Sequence, residues 1–359
     1  MLMLYQYEIF LFAVSISYWQ TGVNCRIVKV VKWRRLLVEK AFIDLLDRNY
    51  NKVFNFTGSS TMEGGFSVAL QYTLNGRTYS GLEHEAVVKK LKMPMPLGSI
   101  IHGYGNDPIL LDKIAAKLII DGNVDESISQ LHKNIALLKE KGFSNGYNLN
   151  YSALFLKDEA HAERAKQFFR EMKSNQRFLT RKSDYPITLL LTQQSVDVVQ
   201  LADTIYEYYQ ALRQHQFKAG DQLQMLAQFL AFYSPTFEPK MVDYTVQLKK
   251  QVSQGSIRVT KNLYPLIGLL ALNATDNKKL EEIFALKAAI TAHKTFKHFS
   301  NLAFSAAVFK TLTDEKVEGA ITHEQQLEWW DLVFYSDLFL VLPKALIESV
   351  LSVDFNIFQ

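Results

Sequence analysis

The sequence predicts an all-α protein of stacked antiparallel helix pairs, an α-solenoid-like helical repeat. Three observations support this prediction. The chain repeats itself with a period of about 74–79 residues, and its apolar residues recur at helical spacing. Helix-breaking residues are scarce, with 16 Gly and 8 Pro among 359 residues. Such stacks hide the apolar face of each helix pair against its neighbours.

Three proline motifs mark the repeat. They are Asp107-Pro108-Ile109, Tyr185-Pro186-Ile187 and Tyr264-Pro265-Leu266, with prolines 78 and 79 residues apart. Proline suits the first turn of a helix, because its missing N–H would have no partner there. Each motif therefore predicts the start of a helix, and Asp107 is well placed to cap the first one.

A second marker follows each proline. Phe143, Phe217 and Phe296 lead segments in which Leu, Ala and Leu or Phe recur six, ten and thirteen residues later. Gly146 and Gly220 sit where the chain can leave one helix and enter the next. One period then holds about four helices, which form two antiparallel pairs.

Two stretches depart from this pattern. Phe66–Leu74 is the best strand candidate, although it is short and isolated. The first 25 residues carry one charge, Glu8, and five cations follow between Arg26 and Arg35. This beginning is interpreted as a weak membrane anchor with a cytoplasmic body, as a first core helix, or as a stretch that precedes the true start. The apolar stretch 332–351 is expected to form closing helices.

The predicted organisation has four parts. They are a doubtful apolar and basic segment (1–36), an N-terminal helical region (37–105), three repeats (106–313) and C-terminal closing helices (314–359). The repeats are placed at about 106–183, 184–262 and 263–313.

Bulk composition excludes several classes of protein. Lys and Arg number 40 against 36 Asp and Glu, a net charge of +4, so the field is too weak for a dedicated duplex-binding domain. Cys25 is the only cysteine, which excludes an intramolecular disulfide and a cysteine-based zinc site. A single cysteine suits a reducing compartment, so we expect a cytoplasmic protein.

The sequence carries no local catalytic signature. None of the eight histidines has the H-E-x-x-H spacing, and Walker, dinucleotide and G-x-S-x-G motifs are absent. We therefore expect no metal and no cofactor, and the sequence assigns no catalytic residue.

One loop is a candidate anion site. Arg177, Thr180, Arg181, Lys182 and Ser183 offer cations and hydroxyl groups just before a predicted helix start, where free N–H groups attract anions. The alternative is an ordinary capped loop in which Asp184 or Ser183 forms part of the cap.

The run Phe178-Leu-Thr-Arg-Lys-Ser-Asp-Tyr-Pro186 also carries a resemblance. With Phe217-Lys-Ala-Gly-Asp-Gln-Leu-Gln224 and Tyr264-Pro-Leu-Ile-Gly-Leu-Leu270, it resembles a family from Gram-positive bacteria, the domain of unknown function numbered four thousand and three. The resemblance covers roughly residues 90–310. It implies a mostly helical bacterial protein without an established activity, and it supplies no site residues.

Two functions remain open from the sequence. The first is a non-catalytic helical-repeat protein that binds a macromolecular partner, because stacked helix pairs create extended grooves. We expect this partner to be a protein. The second is an enzyme whose site is assembled from distant residues. A membrane-tethered form of the first is a third option.

Overall fold

The computed structural model describes residues 23–57, 62–92, 108–193, 196–233, 235–255 and 257–318, with side chains from residue 37 onward except at 57, 108, 109, 147, 233 and 315–318. The chain divides into two compact units, Met1–Asp44 and Leu45–Gln359. In the described part of the first unit, Lys40 Nζ lies 2.7 Å from Asp44 Oδ2, one turn further along the same helix. The second unit contains the repeat motifs.

Fourteen α-helices and no strand occur in the described ranges, which confirms the all-α prediction. The helices are α1 (Val23–Thr57), α2 (Met62–Leu74), α3 (Gly81–Lys92), α4 (Pro108–Asp121), α5 (Val124–Glu140), α6 (Tyr147–Ser152), α7 (Glu159–Asn175), α8 (Tyr185–Leu191), α9 (Val198–Gln214), α10 (Asp221–Tyr233), α11 (Pro239–Gln254), α12 (Tyr264–Leu272), α13 (Asn277–Ala292) and α14 (Ser300–Glu318). Short 3₁₀ turns follow α6 and precede α8 and α12.

Helices of two kinds alternate along the second unit. Some even-numbered helices are buried nearly all round: α8 is buried at every position, and α12 is buried from Tyr264 to Ala271. The odd-numbered helices α7, α9 and α11 bury one stripe and expose the other face, as covering helices do. α10 packs along α12 and α6 along α8, while α9, α11 and α13 cover α10, α12 and α14. Helices adjacent in sequence pack as antiparallel pairs, as predicted.

The proline markers begin helices in all three copies. Pro108 is the first residue of α4, and Pro186 and Pro265 occupy the first turns of α8 and α12. Gly146 and Gly220 directly precede α6 and α10 with φ of 140° and 136°, a backbone conformation that glycine adopts without a steric penalty. The exact repeat boundaries stay a prediction. Asp107, the proposed first cap, lies outside the described residues.

A recurring aromatic junction joins the copies. The rings of Phe143 and Tyr185 are 4.9 Å apart, and those of Phe217 and Tyr264 are 5.0 Å apart. In the second junction the Nζ of Lys249 lies 4.1 Å above the Phe217 ring. Each tyrosine therefore packs against the phenylalanine marker that precedes it in the chain.

The third phenylalanine marker packs against the beginning of the second unit. The ring of Phe296 lies 5.7 Å from that of Tyr50 in α1 and 5.6 Å from that of Phe66 in α2. Thr295 Oγ1 donates a hydrogen bond of 2.6 Å to Asp47 Oδ1, and α14 packs against α2. The stack of helices therefore closes on itself instead of remaining an open array.

The strand suggested for Phe66–Leu74 is wrong. This segment belongs to α2, in which every residue from Gly64 to Thr73 is buried. A helix that is buried on all sides shows no 3.6-residue period, so the run could not be distinguished from a buried strand by pattern alone.

The terminal predictions lie mostly outside the described residues. This holds for 1–22 and for 319–359, which include the predicted closing helices. Val23 begins α1, so the last part of the 1–36 segment is helical. Among the described helices, none combines the length and apolar character that crossing a membrane requires.

We expect Tyr264→Phe to lower the free energy of unfolding by about 1 kcal/mol. The Oη of Tyr264 accepts the backbone N–H of Lys218 at 3.1 Å, and the ring itself would remain in place. Urea unfolding checks this, with Tyr206→Phe as control because Tyr206 is 40% exposed. Equal effects of the two changes would contradict the role of the junction.

Candidate functional site

Three neighbouring loops of the second unit form the candidate site. Each connects the end of an odd-numbered helix to the start of an even-numbered one: 176–184 precedes α8, 215–220 precedes α10, and 257–263 precedes α12. Since adjacent helices are antiparallel, these loops belong to the same end of the stack. Direct contacts join them, because Gln224 Nε2 at the start of α10 donates to Thr180 Oγ1 at 3.3 Å, and Lys261 Nζ donates to Ala219 O at 2.7 Å.

Loop 176–184 contains the five residues predicted to bind an anion. Arg177 and Arg181 are exposed, and Lys182 and Ser183 are half-buried. Thr180 points inward instead. It is 2% exposed, and its hydroxyl donates to Met172 O at 3.2 Å while accepting from Gln224. The structure thus places the cations at the surface and uses Thr180 within the fold.

A cap of the kind considered as the alternative is present on the 3₁₀ turn that precedes α8. Lys182–Asp184 form a 3₁₀ turn, and Asp184 Oδ2 accepts the backbone N–H of Arg181 at 2.7 Å. This carboxylate occupies one of the N–H groups that an anion would otherwise use. The anion site itself stays a prediction.

The other two loops extend the positive charge. Lys218 and Arg258 are exposed, and Lys261 is half-buried. We call the set of six cations on the three loops the basic surface: Arg177, Arg181, Lys182, Lys218, Arg258 and Lys261. Two carboxylates belong to the same region, Asp184, which is buried, and Asp221, which is half-buried.

An exposed aromatic side chain stands among these cations. Phe178 follows Arg177 directly and is 87% exposed, the highest value among the exposed large apolar side chains of the described residues. In the sequence, Phe178 stands out only as part of a family motif. Its exposure could not be inferred, because an aromatic residue in an inter-helix loop is as compatible with the core as with the surface.

Aspartates cap helices at the opposite end of the stack. The loops that precede α7, α9 and α13 each supply one, Asp158, Asp197 or Asp276, whose side chain accepts backbone N–H groups of the first turn. These carboxylates lie where the helix dipoles favour negative charge.

A protonatable carboxyl group lies beneath the basic surface. Burial raises the pKa of Asp184 to about 7 from 3.8, and nearby Asp221 adds to this, while the hydrogen bonds from Arg181 and Gln228 act in the opposite direction. The carboxyl group of Asp184 therefore changes its charge near neutral pH.

The described histidines belong to no cluster with the composition of a metal site. Among the described residues, no group of three or more His, Cys, Asp or Glu side chains could hold an ion. His161 is fully buried, and its Nε2 donates to Leu189 O at 2.9 Å while Nδ1 accepts the N–H of Lys157 at 3.2 Å. Burial lowers the pKa of His161 to about 4, so this histidine is a neutral structural residue.

One buried polar cluster was not anticipated. His84 lies between Tyr72 and Asp112, with 3.4 Å from Nδ1 to the tyrosine Oη and 3.2 Å from Nε2 to the carboxylate Oδ1. His84 and Tyr72 are 2% and 1% exposed. The three residues come from α2, α3 and α4, and only their packing brings them together.

Comparison with known proteins identifies the family. The model of a family described as "Protein of unknown function (DUF4003)" matches residues 65–328, so the chain belongs to this family. This confirms the resemblance seen in the loop and proline motifs. No curated protein matches the chain. No solved structure matches it.

Proposed function

We propose that this member of the DUF4003 family is a non-catalytic helical-repeat protein that binds a partner protein through its basic surface. The observation that carries the proposal is the convergence of six cations and the exposed Phe178 on three adjoining loops. Positive side chains around an exposed aromatic ring suit a partner with an acidic surface and an apolar pocket.

The closed stack favours a loop surface over a groove. An open solenoid would offer a long concave face, but Phe296 and α14 return to α2 in the second unit. Binding through the basic surface therefore does not require the extended groove expected of an open stack of helix pairs. Loops on a rigid scaffold are a common place for recognition residues. We place this binding in the bacterial cytoplasm, which the single cysteine supports.

We expect a triple variant, Arg177→Gln, Arg181→Gln and Lys182→Gln, to weaken partner binding by about tenfold or more. Loss of charge at a rim slows association, and the remaining affinity should depend less on salt. The measurement is affinity capture from native cytosol with the full chain, followed by titration of the captured protein at 50 and 300 mM salt.

A matched control removes the same charge elsewhere. Lys52, Lys240 and Lys278 are exposed helix residues, and their combined change to Gln should leave binding unchanged. Equal binding by the two triple variants would contradict the proposal. Capture that disappears after nuclease treatment would also contradict it, because the partner would then be a nucleic acid.

An enzyme is the second candidate, and the Tyr72–His84–Asp112 cluster is the observation that favours it. A carboxylate that orients a histidine toward a hydroxyl group is an arrangement used in acid–base catalysis. Its test is incubation of the protein with a cytosolic metabolite extract, followed by mass spectrometry. Turnover by the wild type that His84→Asn abolishes, while folding is retained, would favour the enzyme over the binding protein.

A further inference from the structure

A cleft opens between α4, α5 and the segment that joins α6 to α7. Its volume is about 320 Å³. The floor is apolar, formed by the buried side chains of Leu118, Leu131 and Leu156, and the rim is polar. This volume lies at the lower end of the range found for small-molecule sites.

The repeat gives an internal reference for this cleft. Helices α5 and α9 both have 17 residues, and Phe143 and Phe217 donate their backbone N–H groups to Leu138 and Leu212, five residues earlier in each case. In this register Asn134 of α5 corresponds to Tyr208 of α9. The same position can thus be compared in two copies of one structure.

In the second copy, aromatic rings fill the space. The ring of Tyr208 lies 5.0 Å from that of Phe237, and its Oη accepts the N–H of Glu238 at 3.1 Å. Thr204 Oγ1 donates to Pro235 O at 2.7 Å and holds the same loop against α9. The inter-helix loop is therefore packed directly on the covering helix.

In the first copy, a shorter side chain replaces the ring. The amide of Asn134 donates to the carbonyl groups of Ala153 and Leu156 at 2.8 and 3.2 Å, which keeps the segment in place without filling the space. Gln130, which corresponds to Thr204, instead donates to Asn134 Oδ1 at 2.8 Å and lines the cleft. The first copy therefore has a short amide beside the cleft at the position where the second copy has the ring of Tyr208.

The charges at the rim indicate which kind of ligand fits. Asp121 and Glu126 face one cation, Lys117, whose Nζ is 3.1 Å from Asp121 Oδ2. Glu126 also accepts from the amide of Asn123. The lining thus has an excess of negative charge and offers carboxylate oxygens as acceptors. An anionic ligand is disfavoured here, and a group with several N–H donors is favoured.

We propose that this cleft binds a small ligand that combines a flat ring with a cationic N–H edge. The ring takes the place that Tyr208 and Phe237 fill in the second copy, and the N–H groups face the carboxylates of Asp121 and Glu126. The site is separate from the basic surface, so it does not depend on the partner-binding proposal.

Benzamidine is the probe that tests the proposal, since it joins a ring to an amidinium group. Ligand-observed NMR with the full chain should give a dissociation constant of about 1 mM or lower. Benzoate, with the same ring and the opposite charge, should bind at least about tenfold more weakly. Equal binding of the two probes, or binding of neither, would overturn the proposal.

Two variants locate the binding. Asn134→Tyr introduces the residue of the second copy and should abolish benzamidine binding, but it also removes three hydrogen bonds of the fold. Gln130→Trp blocks the cleft from an exposed position and should abolish binding in a protein that still folds, because it removes a single hydrogen bond, the one to Asn134 Oδ1. Benzamidine that binds a folded Gln130→Trp variant as tightly as the wild type would show that the probe binds elsewhere, and the proposal would fail.

Discussion

Phe296→Ala is expected to lower the free energy of unfolding by about 3–5 kcal/mol. Phe296 is fully buried and its ring contacts those of Tyr50 and Phe66, which come from the other end of the second unit. The change leaves a cavity at the place where the stack closes, and neighbouring helices can collapse into it only in part. Urea denaturation at fixed pH measures the loss.

The helices in which the effect of Phe296→Ala appears distinguish loss of the closing contact from loss of ordinary core packing. Hydrogen exchange should quicken in α2 and α14 together, although these helices are far apart in the chain, and should change little in α8. Phe296→Leu should cost less than half as much, and Phe178→Ala should cost almost nothing because that ring is 87% exposed. A loss below about 1 kcal/mol for Phe296→Ala would contradict the closed arrangement.

Asp184→Asn is expected to stabilise the protein increasingly as the pH rises. The pKa of Asp184 is about 7 in the folded chain, against 3.8 as its ordinary value, because burial disfavours the charged form. The folded protein therefore binds the proton more strongly than the unfolded one. Its contribution to stability is full below pH 3.8 and is lost as the pH rises through 7.

Asparagine keeps an oxygen that can accept the N–H of Arg181 and has no charge to bury. The stability difference between the variant and the wild type should thus grow by about 2–3 kcal/mol between pH 5 and pH 8. Denaturation curves at both pH values measure this difference. A constant or shrinking difference would contradict the assignment.

In the wild type, the contribution of His161 to stability changes with pH in the opposite direction. Its pKa is about 4 when folded and 6.5 ordinarily, so its contribution to stability falls as the pH drops from 6.5 to 4. Subtracting the wild-type curve from the Asp184→Asn curve removes this common dependence. The wild type alone should show little net slope from these two groups in that window.

Sequence patterns located much of this architecture because proline and glycine act locally. Pro186 and Pro265 begin helices as expected, since their effect on the first turn does not depend on the rest of the fold. The amphipathic covering helices could be predicted equally well, because a half-exposed helix shows a 3.6-residue pattern of apolar residues. The inner helices were harder to predict: α2 is buried on all sides, so its apolar run could also be a short strand.

The candidate sites depended on contacts that no local pattern contains. The sequence shows the cluster of Arg177, Arg181 and Lys182. It does not show that Lys218 and Arg258 belong to the same surface, because this depends on the contacts between the three loops. The inward direction of Thr180 follows from hydrogen bonds to α7 and α10. Lys113 is another example, because it is fully buried within α4 although a lysine side chain usually reaches water.

The contact between Phe296 and α2 also fixes how many modules the protein can contain. A linear repeat protein tolerates gain or loss of a unit, since each unit touches only its neighbours. Here an inserted or deleted pair of helices would separate the two surfaces that meet at Phe296. Repeat arrays usually grow by duplication within the gene. In this chain, such a duplication would break the contact between Phe296 and α2 unless that contact formed again.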